Sequence, residues 1–143
     1  DPEPQKMDAL FAEALGESPI EILKGTDDFL AVFENEQQIQ AMNPDFTKLA
    51  KINSRGVVIS APGNDVDFVS RCFFPQTGID EDPVTGSAHT MLIPYWAKQL
   101  DRIQFKAHQL SARGGVLDCK LINDRVLISG KSIIYFEGMI SIN

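Results

Sequence analysis

Residues 78–100, GIDEDPVTGSAHTMLIPYWAKQL, place three carboxylates (Asp80, Glu81, Asp82), a proline, a Thr-Gly-Ser turn and a histidine ahead of an apolar run. A helix starting at TGSAH presents unpaired N–H groups and about half a positive charge at its mouth. Carboxylates, phosphates and sulfates bind at such places. Gly86 lets a ligand come close to the backbone, and Ser87 adds a hydroxyl donor. Thr85 or Ser87 is also a suitable cap for the same helix. Asp82, which Pro83 holds extended, sits just before this anion site. An anion arriving beside the Asp82 carboxylate favours its protonation, which suits a group that trades a proton with a bound acid.

Each of these residues also has a plainer role. DEDP before a helix is a common solvated turn that complements the dipole. Asp80 and Asp82 could share a divalent cation, but no further ligand stands at a recognisable spacing. His89, one turn into an apolar helix, also fits a hydrogen-bonded core residue. Cys72 and Cys119 read as buried apolar side chains. The chain has no phosphate-binding P-loop, dinucleotide fingerprint or GxSxG elbow.

The elements that must hold this stretch are legible in outline. KMDALFAEALG puts Met7, Leu10, Phe11, Ala14 and Leu15 on one helical face, with Gly16 as a stop. IEIL and FLAVFE read as strands, and NEQQIQAMNPDFTKLAKI as two short helices parted at Pro44. GVVISA, VDFVSRCFF, IQFKAHQL, GVLDCKLIND, VLISG and SIIYFEGMI bring the candidate strands to eight. In VDFVSRCFF both faces are apolar, as in a strand covered on each side. From Ala88 to Leu100 apolar residues fall on nearly every face of the helix, so protein must surround it. Pro94 removes one backbone hydrogen bond within that helix. The expected fold is α+β, a mostly antiparallel sheet rolled around one central apolar helix.

Composition sets the outer limits. With 143 residues, 43% apolar and 23% charged, the chain has the length and make-up of one globular domain. A net charge of −7 argues against a nucleic-acid or anionic-membrane surface. No apolar run reaches the roughly 18 residues that a membrane-spanning helix needs. The N-terminal DPEPQKMDAL lacks the pattern of a signal peptide, and two cysteines without CxxC spacing suit a reducing cytoplasm. The chain begins with Asp1, so a processed or truncated piece of something longer is expected.

DFVSRCFFPQTGIDEDPVTGSAH, PYW and QLSARGG together resemble the C-terminal half of the phenazine biosynthesis PhzF-like proteins, relatives of the diaminopimelate epimerase fold. The resemblance runs from about Ile20 to the end. It implies one of two similar halves, each a sheet rolled around a helix, with substrate held in the cleft between two helix mouths. Carried over, Gly86 and Ser87 are amide donors to a substrate carboxylate, with Thr85 and His89 in the same binding segment, and Asp82 assists proton transfer. The family's principal glutamate, in an S-E-T-A-F-like motif, and its G-H-A-T helix start belong to the N-terminal half, and neither motif occurs in these 143 residues. EDPVTG has no cysteine, so the two-thiol racemisation of the epimerase branch does not run through this half.

The resemblance therefore implies the C-terminal half of an isomerase that moves a proton on a small carboxylic acid, without metal or organic cofactor. This chain alone is expected to be inactive and to need the missing N-terminal domain. The alternative is a non-catalytic anion- or partner-binding module of the same fold. An uncovered cleft wall implies self-association into dimers or larger species.

Overall fold

The computed structural model of the chain describes residues 1–6 and 8–142. A single sheet takes its strands in sequence order: β1 (Glu3–Pro4), β2 (Glu21–Lys24), β3 (Asp28–Val32), β4 (Gly56–Pro62), β5 (Phe68–Phe73), β6 (Gln104–Gln109), β7 (Gly115–Ile122) and β8 (Arg125–Gly130). Helix α1 (Ala9–Leu15) joins β1 to β2, α2 (Glu36–Ala41) and α3 (Phe46–Leu49) join β3 to β4, and α4 (Gly86–Leu100) joins β5 to β6.

The pairings β3–β4 and β5–β6 are parallel and the others antiparallel. A parallel pair needs a crossover, and both crossovers carry helices. Because β4 and β5 are antiparallel, the two crossovers leave strands of opposite direction while stepping the same way across the sheet. Crossovers of one hand then put α2 and α3 on one face and α4 on the other. The packing has this arrangement. Phe11 and Leu15 of α1, Ile39 of α2 and Leu49 of α3 cover Ile22, Ala31, Ile59, Val69 and Phe73 on one face. On the other, Leu92, Ile93 and Trp96 of α4 meet residues from every strand between β2 and β8, among them Leu23, Val58, Phe68, Phe105, Leu117 and Ile128. The sheet thus curls around α4, and the α+β class with a central apolar helix stands.

Local chemistry explains the helix limits. The Asp8 side chain accepts from the Leu10 N–H, and Gly16 at φ 81° closes α1 by donating to the Ala12 carbonyl. Asn35 and Gln38 form a capping box on α2, and Asp45 caps α3 just after Pro44. Met7, expected on the buried face of α1, lies outside the described residues. Helix α4 runs continuously through Pro94, and Asp101 at φ 50° ends it. The Trp96 indole lies 5.6 Å from the Phe68 ring at an interplanar angle of 8°, and its N–H donates to Ser60 Oγ at 3.0 Å.

One expected strand is absent. Residues 132–140, SIIYFEGMI, form no strand, and Ile133, Ile134, Tyr135, Phe136, Met139 and Ile140 are exposed. β-Branched and aromatic residues favour a strand only where a partner supplies the ladder, and among the described residues none pairs with this segment. The two-residue edge strand β1, paired with Leu23 and Lys24, was not expected from the sequence. Its Pro4 is tolerated because an edge strand leaves one side unpaired.

Candidate functional site

The three consecutive acids have three different surroundings. Asp80 is exposed. Glu81 receives two hydrogen bonds from Arg71, Nε to Oε1 at 2.7 Å and an Nη nitrogen to Oε2 at 2.9 Å. Arg71 also donates to the carbonyls of Ile39 and Met42 at the end of α2, so it ties the acidic turn to that helix. Asp82 is half-buried and turns toward α4: its Oδ2 accepts a short hydrogen bond from the Thr85 hydroxyl. Its backbone N–H donates to the Cys72 carbonyl at 3.0 Å.

Thr85 is the N-cap residue of α4 in backbone conformation, but its hydroxyl does not cap the helix. It is committed to Asp82. The Thr85 N–H goes instead to Gln109 Oε1 at 2.8 Å. Gln109 is fully buried, and its amide nitrogen donates to the Asp82 carbonyl at 2.7 Å and to Thr85 Oγ1 at 3.1 Å. Since Gln109 Nε2 can only donate, the single proton of Thr85 is free to point at Asp82. Ser111 Oγ adds a bond to the Pro83 carbonyl at 2.7 Å. Gly115 leaves room for Val84, because a Cβ there would lie 2.3 Å from Val84 Cγ2. The QLSARGG segment is therefore the cradle of the DPVT turn.

The helix mouth above this turn is open. Gly86 and Ser87 are exposed, and among the described residues no acceptor meets either N–H. Ser87 does not cap the helix either; its Oγ accepts from Arg55 at 3.2 Å. Beneath the mouth lies His89, fully buried, with Nδ1 2.9 Å from the Thr85 carbonyl and its ring 6.1 Å from that of Phe68. A carbonyl can only accept, so Nδ1 carries the proton and Nε2 is the bare nitrogen, without a partner among the described residues. Burial pushes the His89 pKa down, against the pull of the Thr85 carbonyl. His89 thus lies behind the mouth, supporting it, rather than on its surface.

Cys72 and Cys119 are free and buried. Burial pushes the Cys72 thiol up to about 12, so no thiolate is available beside Asp82 near neutral pH. Among the described residues no group of three or more His, Cys, Asp or Glu side chains is placed to share a metal ion. No helix among them is long and apolar enough to cross a membrane.

Asp82, Thr85, Gly86 and Ser87 therefore lie together at one end of α4, and sequence reasoning missed the residues that brace them. Gln109 carried a signal, since it falls in phase with the inward-facing Phe105 and Ala107 of β6. Arg55, whose guanidinium is also bonded to the Asp28 carboxylate, carried none.

The family model for phenazine biosynthesis-like proteins (PhzC-PhzF) matches residues 3–138. This chain belongs to the PhzC-PhzF family. It is 47% identical over 131 residues to an uncharacterized isomerase of Pseudomonas aeruginosa, covering 92% of this chain and 50% of that protein. A second uncharacterized isomerase of that organism is 47% identical over 137 residues, with 96% of this chain and 52% of the other covered. The crystal structure of a PhzF family protein from Enterococcus faecalis superimposes with a TM-score of 0.90 at 40% identity, over 94% of this chain and 52% of that one. The family's fold is that of diaminopimelate epimerase-like proteins, in agreement with the sheet curled around α4. The chain spans about half the length of the relatives it matches.

Proposed function

We propose that this chain is the C-terminal half of a PhzF-type isomerase that shifts a proton on a small carboxylic acid. The substrate carboxylate rests on the Gly86 and Ser87 amides, which also meet negative charge that grows in an enolate-like transition state. Asp82 takes or returns a proton through the carboxylate oxygen that Thr85 leaves free, and the principal base comes from the remaining part of the enzyme. The observation that supports this reading most directly is the pairing of two unclaimed amides with a carboxylate four residues upstream of the helix start, its orientation set by Thr85. The names of the relatives, uncharacterized isomerases, point the same way.

The test is proton exchange in D2O over a panel of small unsaturated and hydroxylated carboxylic acids. This chain is assayed alone and joined to the N-terminal half of a PhzF-family relative. Deuterium uptake by the joined protein, absent from this chain alone, supports the reading. Turnover by this chain alone overturns it. Amide-detected binding of the acids without exchange in the joined protein favours a non-catalytic binding module.

A further inference from the structure

The Ser87 hydroxyl has a partner that the reading above does not use. Arg55, in the loop before β4, donates from Nε to Asp28 Oδ1 at 2.9 Å and from one Nη nitrogen to Asp28 Oδ2. That same Nη reaches Ser87 Oγ at 3.2 Å. Asp28 is 5% exposed, the Arg55 backbone N–H donates to the Asp27 carbonyl at 2.9 Å, and the guanidinium lies 5.4 Å from the centre of the Phe74 ring. The guanidinium is therefore held from several sides before it meets Ser87.

Guanidinium groups donate and never accept. At Ser87 the oxygen is thus the acceptor, and no described residue accepts the hydroxyl proton in return. Ser87 is exposed, so that proton is left to the solvent side of the helix mouth. A hydroxyl whose oxygen is held by a cation is also a stronger donor than a free one. Next to it, a hollow of about 130 Å³ has Arg55, Ser87 and Thr90 in its lining together with three acidic residues, Asp1, Asp27 and Asp28.

We infer that Arg55 is a positioning residue for the anion site: held by Asp28, it turns the Ser87 hydroxyl outward as a third donor to the substrate carboxylate. Arg55 acts through Ser87, without touching the substrate. This inference rests on the anion reading of the helix mouth and assigns the part that Arg55 and Asp28 play in it.

The experiment is a titration of the 15N-labelled full chain with sodium malonate, followed at the Gly86 and Ser87 amides. S87A should weaken binding about fivefold, the worth of one hydrogen bond. R55Q should weaken it similarly, and R55Q/S87A should be no weaker than S87A alone. R55K, which keeps the charge but loses the two-pronged grip on Asp28, should behave like R55Q. The pair D28N/R55Q leaves no uncompensated buried carboxylate and replaces R55Q if that variant unfolds, with the β5 and β6 amides reporting on the fold. Additive losses in R55Q/S87A, or wild-type affinity in R55K, would mean that the charge acts directly on the anion and would overturn the inference. Wild-type affinity in R55Q overturns the role of Arg55 while leaving the anion site standing. If the wild-type Gly86 and Ser87 amides do not respond to malonate, the anion site and this inference fail together.

Discussion

The side-chain amide of Gln109 holds the backbone carbonyl of Asp82 at 2.7 Å across 27 residues of sequence. The same side chain accepts from the Thr85 N–H and donates to the Thr85 hydroxyl, so one buried glutamine sets both ends of the turn that carries the acid. Removing it leaves buried polar groups without partners, each costing about 1–3 kcal/mol. Gln109→Leu should lower the unfolding free energy by roughly 3 kcal/mol in urea. It should also abolish any response of the Gly86 amide to small carboxylates. A Gln109→Leu protein as stable as the parent would refute the bracing role.

Asp82 itself is braced through its backbone more than through its side chain. Asp82→Asn keeps the N–H to the Cys72 carbonyl and the carbonyl to Gln109. Its stability should change by less than about 1 kcal/mol. In the joined enzyme, proton exchange should fall by about a hundredfold or more, the usual worth of a positioned acid or base. Unaltered exchange rates in Asp82→Asn would end the proton-transfer reading.

His89 makes stability depend on pH in a defined direction. Burial lowers its folded pKa below the unfolded value near 6.5, so between the two the unfolded chain binds more protons. Its contribution is complete above about pH 6.5 and is lost as the pH falls toward the folded pKa. Urea midpoints measured from pH 7.5 down to pH 5 should decline, and the decline should be shallower in His89→Asn. Equal slopes in the two proteins would assign the pH dependence to other groups.

Gly115 and Val84 form a steric pair, and the pair can be tested by compensation. Gly115→Ala puts a methyl group 2.3 Å from Val84 Cγ2, far inside contact distance. The turn must shift, at a cost of about 1–3 kcal/mol. Adding Val84→Ala should restore most of that loss, which thermal unfolding of the single and double variants will show. Additive losses would place the strain elsewhere.

The apolar segment from Ile133 to Ile142 should drive self-association, since it exposes a run of large side chains with no strand partner among the described residues. Light scattering should find dimers or larger species for the chain, and smaller ones once residues 132–142 are removed. A monomer in both cases would rule this out.

What the sequence made legible follows the range of the forces involved. The all-round apolar pattern of α4 and the DPVTGSAH turn are local, and both lie where the pattern puts them. So do the two helices parted at Pro44 and the Gly16 stop. SIIYFEGMI has the composition of a strand, but composition does not supply a neighbour, and the segment remains unpaired. The sorting of Asp80, Glu81 and Asp82 could not be read locally either. It depends on Arg71, Thr85 and Gln109, and two of those lie on separate strands. Arg55 and Asp28 meet through the parallel β3–β4 pairing, a long-range contact with no periodic signature.

The two apolar layers on opposite sides of the sheet have a practical consequence. The acid-bearing turn leans on β5, β6 and β7 and on the α4 side, whereas α1, α2 and α3 consolidate the opposite layer around β2 to β5. Loosening the β6–β7 hairpin would dissolve the turn's footing while much of the helical signal persisted. Under gradual heating, competence should fade before ellipticity does, and a circular-dichroism melt taken alone would overstate how long the molecule stays fit for work.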